Sequence, residues 1–196
     1  MCPSHTDNPT LSGFLQDFLR AFYSPKRLYF DLARNPKSGS WFCVLIYSLV
    51  YVAGSLWLYY YGFTPFVEPW ITLTPERYYL VQAFYILPLV YLMWILGTGV
   101  LHLLSQLFGG RGRFETVFNM TGYALWAPWY PLIVVDCIHA TPDWVYNVVS
   151  GGCLVLVLRG TTIAVMIAEQ IRWMAAIFSA VVAVSSIGLI LFTYIR

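Results

Sequence analysis

Arg159 occupies the most costly position in this chain. It stands in Val-Leu-Val-Leu-Arg-Gly-Thr-Thr-Ile-Ala-Val, residues 155–165, well inside an apolar stretch. An arginine in the middle of a bilayer-spanning helix costs about 2.5–3.5 kcal/mol on insertion scales, and such residues face a bundle interior, a wet cavity or a lipid phosphate. Gly160, Thr161 and Thr162 add a small polar patch beside it. Two chemistries fit. Arg159 either bonds carbonyls freed in a neighbouring helix, a structural role, or lines a cavity that binds a lipid or an anion. Asp136 and Glu115 are the carboxylates offered as partners, both nearer the ends of apolar runs.

The other residues with chemical potential read as structural. Gly109-Gly110-Arg111-Gly112-Arg113 lacks the spacing and the Lys-Ser/Thr ending of a nucleotide-binding loop. It reads as a helix stop that sets Arg111 and Arg113 beside lipid phosphates. His102, on the Leu101/Leu104 side of its helix, reads as a packed, hydrogen-bonded histidine rather than a proton relay. Asp136 and His139 share a helical face, but a metal ion needs three or four ligands and no further His, Cys or Glu stands at matching spacing, so no metal is expected. Cys2, Cys43, Cys137 and Cys153 form no Cys-x-x-Cys pair. Cys137 and Cys153 fall toward one membrane side, which permits a disulfide; small buried thiols fit their apolar surroundings better. No Gly-x-Ser-x-Gly, His-Glu-x-x-His or paired intramembrane aspartate occurs, so neither catalysis nor a cofactor is expected.

What must position these residues is a helical bundle in lipid. Of 196 residues, 59% are hydrophobic and 10% charged, whereas a water-soluble domain carries about 25% charged residues. Apolar runs near 41–61, 79–104, 117–138, 146–168 and 173–194 each suit a helix of the roughly 20 residues that span hydrocarbon. The expectation is an all-α integral membrane protein: a cytoplasmic tail with amphipathic helices over 1–40, then five transmembrane helices over 41–196. A net charge of +2, with no basic helix interleaved with aromatics, argues against a nucleic-acid partner.

Local signals refine this plan. Leu11, Phe14, Leu15, Phe18, Leu19 and Phe22 recur at steps of three and four, predicting an amphipathic helix over 11–23. Too short and charged to span, it either packs on the membrane domain or lies in the headgroup plane. Ser24-Pro25, Thr74-Pro75 and Thr141-Pro142 each predict a helix start with a hydroxyl cap and proline in the first turn. Pro88 predicts a kink in the second span, and Pro128 and Pro131 a break in the third, set either near the interface or beside protein or a cavity that satisfies the freed carbonyls. Glu169 to Trp173 reads as a tight turn, and Ala176, Ala180 and Gly188 as the small-residue packing face of the last span. Arg20, Lys26, Arg27, Arg34, Lys37, Arg111, Arg113 and Arg172 fall on one side, against Arg77 and Arg196 on the other. Basic residues stay inside, so the N-terminus is expected in the cytoplasm and the C-terminus at the exterior or lumen.

The stretch from His102 to Pro128 resembles the hallmark of the Yip1 family. It has a histidine near the end of the second span, a Gly-Gly-x-Gly-x-Phe turn (Gly109, Gly110, Gly112, Phe114) and a Gly-Tyr-Ala stretch (Gly122, Tyr123, Ala124) running to Pro128. Upstream, Phe-Tyr-Ser-Pro-Lys-Arg-Leu-Tyr-Phe (22–30) is similar to that family's pre-membrane proline element. The resemblance implies a multi-pass, non-enzymatic protein that organises membrane or recruits partners through its cytoplasmic face. Eukaryotic members act in vesicle traffic with Rab-type GTPases and with one another. The short N-terminal region resembles bacterial or archaeal members, whose cytoplasmic membrane offers no such GTPase, so the implied partners are membrane lipids, other membrane proteins or a second copy. The alternative reading of the residues is a small transporter or lipid scramblase, with the broken third span and Arg159 as its polar pathway.

Overall fold

The computed structural model describes residues 11–35, 39–64, 74–138 and 143–195, and every regular element among them is helical. Helices α1 (Leu11–Tyr23) and α2 (Pro25–Arg34) precede α3 (Gly39–Tyr60). A 3-10 turn, Pro75–Arg77, leads into α4 (Tyr78–Leu107). Helix α5 (Phe114–Trp126), a second 3-10 turn (Ala127–Trp129) and α6 (Tyr130–Cys137) make one interrupted helix, followed by α7 (Asp143–Glu169) and α8 (Trp173–Ile195).

Among the described residues, three helical stretches are long and apolar enough to cross a membrane: Gly39–Tyr60, Pro75–Leu107 and Trp144–Glu169. Shorter apolar helix joins them in α8, and α5–α6 is broken at its 3-10 turn. On α4, Phe84 and Leu103 are 79% and 63% exposed, an outward apolar surface that water would penalise and lipid does not.

Helix α5 is the centre of the bundle. Asn119 through Trp126 are buried without interruption, and α3, α4 and α7 pack against it; a helix surrounded by protein has no polar face to show. Close approach requires small residues. A Cβ on Gly122 would lie 2.7 Å from the Ser40 Cβ and 2.9 Å from the Trp94 ring. There the Ser40 hydroxyl donates to Asn119 Oδ1 at 3.2 Å, both buried. Ser40→Ala is expected to cost about 1 kcal/mol by leaving that oxygen unpaired; denaturation of the purified protein in detergent measures it, and an unchanged midpoint would show that the bond contributes nothing.

One face of α1 (Phe14, Phe18, Ala21, Phe22) packs on Leu28, Tyr29 and Leu32 of α2, Tyr123, Ala124 and Ala127, and Ala164 and Ala168 of α7. Its other face stays open, with Leu15 and Leu19 exposed by 51% and 55%. Arg20 ties α1 to α2 by reaching Asp17 at 3.7 Å and Asp31 at 3.5 Å. The 3-10 turn at the proline break is enclosed by protein: Ala127 and Pro128 are buried, α1, α3 and α7 surround them, and the Tyr130 hydroxyl donates to the Cys43 carbonyl at 2.9 Å.

Several local expectations are corrected. Neither Ser24 nor Thr74 caps with its hydroxyl. The Ser24 carbonyl instead accepts from the Arg27 and Leu28 amides at 3.1 and 3.3 Å, and Pro25 has no N–H to satisfy. The Thr141-Pro142 start, His139 and Cys2 lie outside the described residues. On α8 the buried small residues are Ala176, Ala180 and Ala183; Gly188 lies about 120° round the helix from Ala176, and a Cβ there would meet nothing within 4 Å. The favoured reading of the cysteines needs no correction: Cys137 and Cys153 are free thiols, as is Cys43, and no disulfide joins them.

Candidate functional site

Helix α4 ends in a stop that needs glycine. Gly109 takes φ +84°, a conformation costly for any residue with a Cβ. Its amide donates to the Gln106 carbonyl at 2.9 Å, and the Gly110 amide donates to the Ser105 carbonyl at 2.9 Å. This paired bonding satisfies two carbonyls that the helix end would leave open. The chain then turns back across the end of α7 and docks there.

The docking partner is Glu169, the last residue of α7, which is fully buried. The Arg111 amide donates to the Glu169 carbonyl at 3.1 Å, and the Gly112 amide donates to Glu169 Oε2 at 2.8 Å. The other carboxylate oxygen, Oε1, meets His102 Nδ1 at 2.5 Å. Gln106 presents its side-chain nitrogen to His102 Nε2 at 3.0 Å. An amide nitrogen only donates, so Nε2 accepts and the imidazole proton sits on Nδ1, aimed at Glu169. Glycine is demanded again by contact. A Cβ on Gly112 would strike the Ala168 carbonyl oxygen and lie 2.9 Å from Glu169 Oε2; one on Gly110 would lie 2.7 Å from that oxygen and 2.8 Å from the Ser105 carbonyl. Just past Glu169, Gln170 takes φ +56° as the chain reverses into α8.

From His102 an aromatic column runs into the bundle. His102 meets the Phe114 ring edge-on at 5.6 Å, Phe114 stacks on Phe118 at 5.7 Å, and Phe118 stacks on Trp94 at 3.9 Å. The Trp94 indole N–H donates to the Phe118 carbonyl and to Thr121 Oγ1, each at 3.2 Å. Thr121 in turn meets Thr98 Oγ1 at 2.7 Å. The polar atoms of Trp94, Thr98 and Thr121 are thus partnered, as a low-dielectric interior favours.

The structure therefore gathers His102, Gly109, Gly110, Gly112 and Phe114 into one unit, and sets Gly122 against Trp94 at its inner end. Tyr123 and Pro128 stand further along, buried in the bundle. Arg111 and Arg113 project outward from the loop, exposed. Arg159 is elsewhere. It meets neither Asp136 nor Glu115; it lines a groove of ≈ 440 Å³ with Tyr23, Ser24, Lys26, Arg27 and Ile163. Sequence reasoning missed Glu169, taking it as part of a polar turn. The available signal was a carboxylate ending an apolar helix, a charge that stays buried only with partners.

As chemistry, the unit is a fastener. Both Glu169 carboxylate oxygens and both His102 ring nitrogens are engaged within it. Among models of known protein families, the Yip1 domain matches this chain over residues 19–195. No curated protein and no solved structure matches it.

Proposed function

The chain belongs to the Yip1 family, and from that premise we propose a non-enzymatic, multi-pass protein of the cytoplasmic membrane that organises membrane or recruits partners through its cytoplasmic face. The observation that carries this reading is the engagement of His102 and Glu169 with one another, Gln106 and the glycine loop: the residues best suited to catalysis are spent holding helix ends together. In this reading α3, α4, α5–α6, α7 and α8 make five crossings. The N-terminus lies in the cytoplasm, supported by the excess of Lys and Arg on that side. Helices α1 and α2 form the recruiting face, supported by exposed Leu15, Leu19 and Phe30 beside exposed Lys26, Arg27 and Arg34.

A photo-crosslinking residue placed at Leu19, and separately at Leu103, tests the reading in native membranes. The expected outcome is a discrete protein adduct, a second copy or another membrane protein, at position 19 and lipid adducts alone at 103. Lipid adducts alone at both positions would overturn recruitment by this face. A cysteine at Leu19 should resist a membrane-impermeant thiol reagent in intact cells and react once the membrane is opened; labelling in intact cells would reverse the orientation.

A further inference from the structure

We propose that the groove between the start of α2 and the middle of α7 binds the phosphate of an anionic phospholipid, held by Arg159, Lys26 and Arg27 together. The inference stands apart from the recruiting reading and rests on the groove's own composition.

Among the described residues, three cations and no carboxylate line this groove. Helix α2 brings Lys26 and Arg27 in its first turn, and α7 brings Arg159. None of the three side chains makes a hydrogen bond or ion pair with a described residue, whereas their neighbour Arg20 reaches both Asp17 and Asp31. The local acids are therefore taken. Three like charges around one space repel unless a counter-anion enters, and a phosphate matches the planar donor forks of two arginines. The end of α2 adds to this field. The positive pole of its dipole faces the groove, the Arg27 and Leu28 amides are spent on the Ser24 carbonyl, and the Lys26 amide carries no such bond.

The surroundings select a lipid over a free anion. Arg159 belongs to a helix apolar enough to cross a membrane. Ile163 forms part of the groove wall, and Val155, one turn from Arg159 in the other direction, is 64% exposed. A phosphate held by the three cations would thus lie against apolar surface on which acyl chains rest, while Tyr23, also in the lining, supplies an amphipathic ring of the kind that sits at headgroup level. The cost of Arg159 in an apolar helix is thereby offset without any partner from the bundle.

The test uses the full chain released from detergent micelles in native mass spectrometry, titrated with dihexanoyl phosphatidylglycerol, dihexanoyl phosphatidylcholine and inorganic phosphate. Phosphatidylglycerol should bind most tightly. Lys26→Gln/Arg27→Gln should weaken it about 25-fold, roughly fivefold per cation, and Arg159→Gln should weaken it as well. Arg34→Gln, an equal charge change outside the groove, should leave it unchanged. If Arg159→Gln does not fold, the exposed Lys26/Arg27 pair still decides. Undiminished binding by that double variant, equal binding of phosphatidylcholine, or inorganic phosphate binding as tightly as the lipid would each overturn the proposal.

Discussion

Replacing Glu169 by alanine is expected to destabilise the protein by about 2–4 kcal/mol, because two largely buried donors lose their acceptor at about 1–3 kcal/mol each. The substitution strands His102 Nδ1, which faces Glu169 Oε1 at 2.5 Å, and the Gly112 amide, which donates to Oε2 at 2.8 Å. It should also free the loop, so hydrogen exchange at the Arg111 and Gly112 amides should accelerate more than exchange in α3 or α5. Glu169→Gln keeps the shape and one acceptor and should cost less. A cycle with His102→Ala completes the argument: once Glu169 is gone, removing His102 should add little, because the two act as a unit. Additive losses, or a Glu169→Ala cost under about 1 kcal/mol, would show that the fastener contributes only what an exposed contact would.

Gly112→Val should cost about 2–3 kcal/mol, the range for forcing atoms into a packed site. The obstacle is backbone, since the new Cβ runs into the Ala168 carbonyl oxygen as well as lying 2.9 Å from Glu169 Oε2, and a main-chain oxygen cannot rotate away. Gly151→Ala is the matched control. It sits within α7 with nothing inside 4 Å of an added Cβ, so it should be neutral or stabilise by about 0.5–1 kcal/mol through helix propensity. Equal losses at the two positions, read from denaturation in detergent, would mean that the close approach at Gly112 is not what the loop depends on.

How much of this could be read from residue order depended on whether the signal was local. Proline in the first turn marks the starts of α2 and of the 3-10 turn before α4, and Gly109 marks the end of α4, because each restricts its own backbone. The apolar stripe of α1 was legible for the same reason. Partners were not. Periodicity reports which face is covered, never which neighbour covers it, so Glu169, 67 residues from His102 and 57 from Gly112, gave no sign of joining the glycine turn. The neighbours of Arg159 were hidden for the same reason. Helix α2 is short and basic enough to pass for tail, yet it lies along α7 and brings two more cations to the arginine's side. The hydroxyl caps failed because a carbonyl at Ser24 was already available to the same amides.

The bond from Gly112 to Glu169 also dates a late step in the making of the protein. Ribosomes work from one end, and these residues lie 57 apart. At about 5–20 residues per second, the glycine turn waits roughly 3–11 s before its carboxylate is made. A nascent chain stopped short of Glu169 keeps that turn open and His102 Nδ1 without its acceptor, whatever its earlier helices have achieved. A late-made acid thus closes on an early-made loop, and a protease that surveys half-built membrane proteins would meet the open turn throughout that interval.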